Sequence, residues 1–465
     1  MGAQAAVIIL PTIGTDLGIP TSRQQWIVSA YSLTFGCFLL LWGRLADVYG
    51  RRLLFILGCT WFTVTSLATP FMPNEISFDI FRALQGLGAA ANVPTAIGIL
   101  GATIPPGKAK NMAFACYGAG APMGSIIGNI LGGVITSYAN WKWVFWVITI
   151  LAALVTVVGI FIIPHPPPHL KEVKTYVDWV GGALITFGLL VLMFALTEGN
   201  VVGWSTPWIP VLIVVSVLII GLFVFWQWYL ETKTDRRPLM KVSIWKDSHF
   251  AAVQVIMALF FAAFSNYLIF ATYFYQDFLG LSPIQTTLRF IPTGIVGVCT
   301  AFTTGYLLSH IRANYIVMFG TFCVGLSCLL FAVPIPTSTS YWAYGCWAMV
   351  FSVFGADTIY PTLTLWNAHS LPKEDQALGG ALINAVGQTG RSIGLAIAVA
   401  VQTAVTASDQ HISTEAVGKA IVKPHDPSFL KGIRAAEWLS FAFAITGCLV
   451  AAVAFCKAGK LGGRK

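Results

Sequence analysis

The sequence predicts an all-α integral membrane protein of about fourteen helices, and three observations predict it. Of 465 residues, 57% are hydrophobic and only 10% charged, whereas a soluble domain carries about 25% charged residues. A water-soluble surface of this size cannot be built from so few charges, and the mean hydropathy of +0.77 agrees. Apolar runs recur at the ~20-residue length that crosses a bilayer as a helix. Closed β-barrels, the other spanning solution, need alternating polar and apolar residues, but the run from Val211 to Trp226 is apolar apart from Ser216. Finally, lysine and arginine crowd into alternate loops, which sets orientation in a membrane.

In chain order, the first apolar run lies near 1–14. It is short for a span and lacks the basic lead of a cleavable signal peptide, so the first helix is expected to be truncated or to cross incompletely. Spans near 25–43, 53–72, 79–103, 111–136 and 143–163 complete an N-terminal six-helix half, 1–163. A proline-rich stretch from Pro164 to Tyr176, spans near 179–198 and 208–230, and a basic stretch from Glu231 to Asp247 form a central insertion, 164–247. Spans near 249–274, 285–309, 314–333, 341–367, 376–404 and 436–456 form the C-terminal six-helix half, 248–465, with a polar stretch from Ala407 to Arg434 before the last span. An internal repeat supports the division: Gly43-Arg44-Leu45 after the second span corresponds to Gly305-Tyr306-Leu307 after the tenth. Two repeat-related halves with a site between them are transporter architecture.

With both termini cytoplasmic, the loops and tail on that side hold eighteen basic residues, among them Arg44, Arg51, Arg52, Lys108, Lys110, Lys171, Lys174, Arg237, Lys373 and Lys457. The other side holds seven, including Arg23, Lys419 and Lys423, and Arg82 and Arg391 fall inside spans. The net charge of +9 is scattered through short loops rather than gathered in one stripe, which argues against nucleic acid as a partner. Nine cysteines show neither metal spacing nor a disulfide framework and read as small buried residues. No phosphate loop, H-E-x-x-H, G-x-S-x-G or paired histidine ligand set occurs, so neither a membrane enzyme, a metal site nor ATP-driven transport is expected.

Three motifs carry the functional argument. The loop Gly43-Arg44-Leu45-Ala46-Asp47-Val48-Tyr49-Gly50-Arg51-Arg52 combines two glycines that permit close approach with an acid that can face a helix N-terminus or pair with Arg51. Such a latch holds while one face is closed and breaks when it opens. A plain topology-setting loop would explain the arginines but not Asp47 and the glycines. In Arg82-Ala83-Leu84-Gln85-Gly86-Leu87-Gly88-Ala89-Ala90, an arginine inside a span costs at least ~2.5–3.5 kcal/mol and marks a functional position; the alternative is snorkelling near a helix end. The third run holds Gly124, Gly128, Gly132 and Gly133 in the fifth span, a glycine density that marks close helix packing in lipid.

These runs resemble, in order, the signature loop, the fourth-helix motif and the antiporter motif G-x-x-x-G-P-x-x-G-G of the major facilitator superfamily. Asn129 stands where the antiporter motif has proline, which removes the kink that proline supplies. Trp141-Lys142-Trp143-Val144-Phe145 resembles the opening of the sixth helix. Phe274 to Pro283, Phe290-Ile291-Pro292 and Gly390-Arg391-Ser392-Ile393-Gly394 are similar to landmarks of the fourteen-helix drug:proton antiporter branch, and Val28 to Gly36 resembles fungal members tied to aminotriazole resistance and metabolite efflux.

The resemblance implies two six-helix halves plus two inserted helices. It implies a monomeric carrier in a cell membrane, plasma or vacuolar, that uses a proton gradient and no cofactor. It gives Arg82 a role in proton coupling, and Arg391 is a further proton-coupling candidate. The branch's helix-one acid and asparagine fall here on Gly2 and Val7, so a proton site is sought elsewhere. Asp357 comes first, because an anion within an apolar helix is costly and proton uptake relieves it; a structural partnership with Arg391, or a helix-bending bond before Pro361, is the alternative. Glu198, at the end of the seventh span, comes second. Polar and aromatic residues mark a candidate amphipathic cavity: Tyr31, Gln85, Asn92 and Tyr117 in the N-terminal half, with Asn266, Tyr267, Tyr273, Tyr360, Trp366, Asn384 and Gln388 in the C-terminal half. Two functions remain open: export of small organic molecules, or import of a nutrient or ion such as ammonium or a boron species.

Overall fold

In a computed structural model the chain is described over residues 5–455, apart from 7–8, 20–25, 106, 165–176, 235, 237, 338, 373–374, 415–416 and 418–423. Gly2, Val7, Arg23, Lys171, Lys174, Arg237, Lys373, Lys419, Lys423 and the tail from Lys457 lie outside the described residues, as does the Asn129 side chain.

The described residues hold fourteen helices: α1 Leu10–Asp16, α2 Trp26–Tyr49, α3 Arg51–Ala68, α4 Glu75–Thr103, α5 Lys108–Tyr138, α6 Lys142–Ile162, α7 Trp179–Val202, α8 Trp208–Lys233, α9 Ser248–Tyr273, α10 Pro283–His310, α11 Ala313–Ala332, α12 Gly345–Ser370, α13 Gln376–Gln410 and α14 Pro427–Ala454. Twelve are long and apolar enough to cross a membrane. The 31-residue α5 has the length as well, whereas α1, at seven residues, reaches only about 10 Å.

Local chemistry sets many of the boundaries. The side chains of Asn74, Asp178, Asp247 and Asp426 accept backbone N–H groups at the starts of α4, α7, α9 and α14. Ser282 and Gln285 form a reciprocal capping box at the start of α10. Gly50, at φ 107°, makes the turn between α2 and α3, a conformation that a side chain resists. Two expectations shift. The last helix begins at Pro427, nine residues before the expected 436, and α9 runs on through a π turn over Phe274–Phe278. Of the cysteines, Cys116 and Cys299 lie on exposed helix faces rather than in the core.

Packing follows the repeat. Within the first six helices α4 packs on α2 and α3, and α3 on α6; within the last six α9 packs on α13 and α14, and α11 on α12 and α14. Two seams join the sets: α2 and α4 meet α13, and α10 and α12 meet α5. The second helix of each set therefore meets the fifth helix of the other. The inserted pair α7–α8 leans on α2 and α13 through α7. It is tied at its start by Asp178, which caps Gly181 and accepts from Gln227 Nε2 at 2.7 Å and Trp226 Nε1 at 3.1 Å.

Candidate functional site

At one end of the bundle α2 delivers a carboxylate to a helix of the opposite set. Asp47 Oδ2 accepts from Leu378 N at 2.8 Å and Oδ1 from Ala377 N at 3.2 Å, both in the first turn of α13. Free N–H groups and the positive helix end make that turn an anion seat. Arg51 donates to the same carboxylate at 2.9 and 2.8 Å and holds Gly98 O of α4 at 3.1 Å. Arg44 pairs with Asp375, the residue just before α13, at 3.1 Å. Gly43 lies against Ala377 and Ala381, where a β-carbon would collide. Arg52 donates to Ile160 O at the end of α6, where a cation suits the negative helix end. The loop thus ties α2, α4 and α13 together.

Arg82 does not snorkel. It is 1% exposed; Nε donates to Ile27 O at 2.8 Å, Nη1 to Gln85 Oε1 at 2.5 Å, and the guanidinium lies 4.9 Å from the centre of the Tyr31 ring. Gln85 in turn donates to Thr69 Oγ1 at 2.8 Å. Tyr31 and Gln85, expected from the sequence to line the cavity, therefore form the cradle of Arg82. Asp79 lies one turn earlier on the same helix, α4.

Asp357 lies inside α12 at 1% exposure, with no hydrogen-bond partner on either oxygen. Gly297 of α10 faces it, and a β-carbon there would stand 3.0 Å from Oδ2. Neither structural alternative holds among the described residues: Asp357 makes no bond to Arg391 and none that bends the helix before Pro361. Burying an unpaired carboxylate is costly, and an incoming proton or cation relieves that cost. Sequence reasoning missed Glu437, which is 0% exposed in α14 and also unpartnered at both oxygens. The signal was an acid ten residues past Pro427, visible only once the helix is known to start there. Glu198 is half-buried near the end of α7.

Between the two sets an aromatic–amide cluster forms. Tyr117 of α5 stacks on Tyr360 of α12 with ring centres 6.2 Å apart, and Phe261 of α9 meets Tyr360 edge-on at 6.0 Å. Tyr360 donates to Asn384 Oδ1 of α13 at 3.0 Å. One turn on, Gln388 faces Gly36 of α2. Other candidates sit elsewhere. Asn92 packs against Gly58 of α3, Asn266 ties α9 to Gly394 O at 3.1 Å, and Tyr267 donates to Met349 Sδ within the C-terminal core. Trp366 meets Phe455 at a tilt with ring centres 4.3 Å apart, and Tyr273 is at an exposed end of α9. Gly124, Gly128, Gly132 and Gly133 lie within α5, the helix that packs on α10 and α12.

Two helical sets joined through reciprocal seams and tied together at one end are the architecture of a membrane transporter. The chain belongs to the Major Facilitator Superfamily, whose pattern matches residues 1–395. It is 34% identical over 404 residues to the low affinity ammonium transporter of Saccharomyces cerevisiae, covering 85% of this chain and 77% of that one. It is 31% identical over 410 residues to the efflux pump terJ of Aspergillus terreus, covering 86% and 78%. The crystal structure of the human organic anion transporter MFSD10 aligns over 97% of this chain and 89% of that one with a TM-score of 0.67; at 14% identity the likeness is one of fold alone.

Proposed function

We propose that this transporter exports small organic molecules by alternating access and draws its energy from protons moving back across the membrane. The observation that carries the proton step is Asp357, an acid inside α12 with no partner on either oxygen. One proton moving inward supplies about 2.3 kcal/mol per 100 mV before any pH term. Both termini, and the Asp47 end with them, face the cytoplasm of a plasma or vacuolar membrane. The charge bias of the loops supports that orientation, and the efflux-pump relative supports the direction of transport. A single chain contributes both halves of the site, so the working unit is a monomer.

The test is retention of a labelled compound panel in cells with and without the gene. Loss of the gene should raise retention of at least one compound, and an uncoupler should do the same to intact cells. Retention unmoved by the uncoupler sinks proton coupling. The ammonium-transporter relative favours a second reading, uptake of a small cation. Gene-dependent accumulation of methylammonium, with no effect on the organic panel, would select it.

A further inference from the structure

We infer that Arg391 is the substrate's anion seat, and that the compounds carried are planar organic acids with a carboxylate at one end. This rests on the reading of the chain as a carrier of organic molecules and adds the class of molecule. Arg391 lies fifteen residues into α13, about 22 Å from its latched end, deep in the bundle. Its side chain is half-buried. Its guanidinium makes no hydrogen bond or ion pair among the described residues.

Its direction follows from the neighbours on α13. Gly390 and Gly394 press on Ala258 and Ala262 of α9, while Ala381 and Gln388 face Gly43 and Gly36 of α2. At 3.6 residues per turn, Arg391 points between those two contacts, roughly 120–160° away from the exposed Ile393 and Ile397. It therefore faces the gap between the first helix of the C-terminal set and the second helix of the N-terminal set, not lipid. An unpaired guanidinium in such a place is expensive and marks a partner that comes and goes. Arginine's planar fork suits a carboxylate held by two parallel bonds.

The rest of the molecule has a place as well. Asn384 shares the Arg391 face seven residues earlier, about 10 Å along the helix, and holds Tyr360, which stacks on Tyr117. A carboxylate on Arg391 thus puts an aromatic body within reach of the tyrosine pair, with Gln388 between as a donor.

Binding of 2-naphthoate, 2-naphthamide and 2-naphthylmethylammonium to the full-length protein in liposomes tests this. Wild type should bind the carboxylate at least ~10-fold more tightly than the amide or the amine, the size of one charge-assisted bidentate contact. Arg391→Gln should remove that preference, bringing carboxylate binding down to the level of the amide or below, and Arg391→Lys should restore part of it. Equal or absent carboxylate binding by wild type overturns the inference without needing any variant, as does a preference that survives in Arg391→Gln. Gene-dependent efflux of neutral or cationic compounds alongside that result would leave the carrier reading standing; no efflux of any class would end both.

Discussion

At the scale of the residue, two buried acids invite comparison. Asp357 and Glu437 are both sealed from solvent and both lack hydrogen-bond partners. Asp357 stands on α12, which packs against α5 of the opposite set. Glu437 stands on α14, whose described packing is with α9, α11 and α13 of its own set. Of the two, Asp357 alone lies on a helix that meets the opposite set, and that placement is the ground for proposing it as the proton carrier. Asp357→Asn should therefore abolish transport against a gradient while preserving substrate-for-substrate exchange, and Glu437→Gln should leave uphill transport within about threefold of wild type. Both are read in proteoliposomes with an imposed pH gradient; normal uphill transport by Asp357→Asn refutes its role. Asp357 was legible in sequence because an acid in an apolar run stands out. Glu437 was not, because Lys431 and Arg434 lower the hydropathy before it and pushed the expected start of its helix to 436. The misplacement of Asn92 has another cause. A motif shows that a residue is on a helix, but its facing depends on how that helix is rotated against its neighbours, here with Asn92 turned to Gly58.

At the scale of the element, the α2–α13 junction is a capped helix whose cap comes from another half. The helices after the short first one were readable in order because each of their apolar runs is close to the length a bilayer demands. The partner of Asp47 was not readable, since nothing in a local pattern says which of fourteen helix ends a carboxylate will meet. Asp47 Oδ1 serves both Arg51 and Ala377 N, and Oδ2 serves Leu378 N. An amide in its place keeps the shape but loses the charge, and its NH₂ cannot accept from a backbone N–H. Charge-assisted bonds of this kind are worth ~1.5–3 kcal/mol each, so Asp47→Asn should raise the population open at this end by roughly tenfold or more. The measure is the alkylation rate of a single cysteine at Leu378→Cys, buried in the closed junction, in a background from which all nine native cysteines have been removed. An unchanged rate means that Asp47 caps the helix without latching the halves.

At the scale of the whole molecule, the repeat seen as Gly43-Arg44-Leu45 and Gly305-Tyr306-Leu307 becomes physical. Gly43 of α2 presses on α13 of the other set, and Gly305 of α10 presses on Met112 of α5. Met112 is four residues into α5, and Lys110 beside it donates to Gly101 O near the end of α4, so both seams close at the same end. Their tolerance differs for a structural reason. A β-carbon on Gly43 meets the Ala381 β-carbon and the Ala377 carbonyl oxygen at 3.0 Å, neither of which can swing away. A β-carbon on Gly305 meets the Met112 sulfur at 2.8 Å, a flexible side chain that can, leaving a 3.2 Å contact with its α-carbon. Overpacking that cannot relax costs ~1–3 kcal/mol. Gly43→Ala should thus open this end by roughly 5–150-fold, Gly305→Ala by several-fold less, and the pair together by more than either. If the halves rock as bodies about a fixed centre, as proposed, opening here must close the far side. Alkylation of Leu378→Cys should rise while that of Leu395→Cys, one turn beyond Arg391 on the same face of α13, falls in proportion. If both rates rise together, the glycines are packing residues whose loss loosens the bundle, and the two seams do not work as one gate.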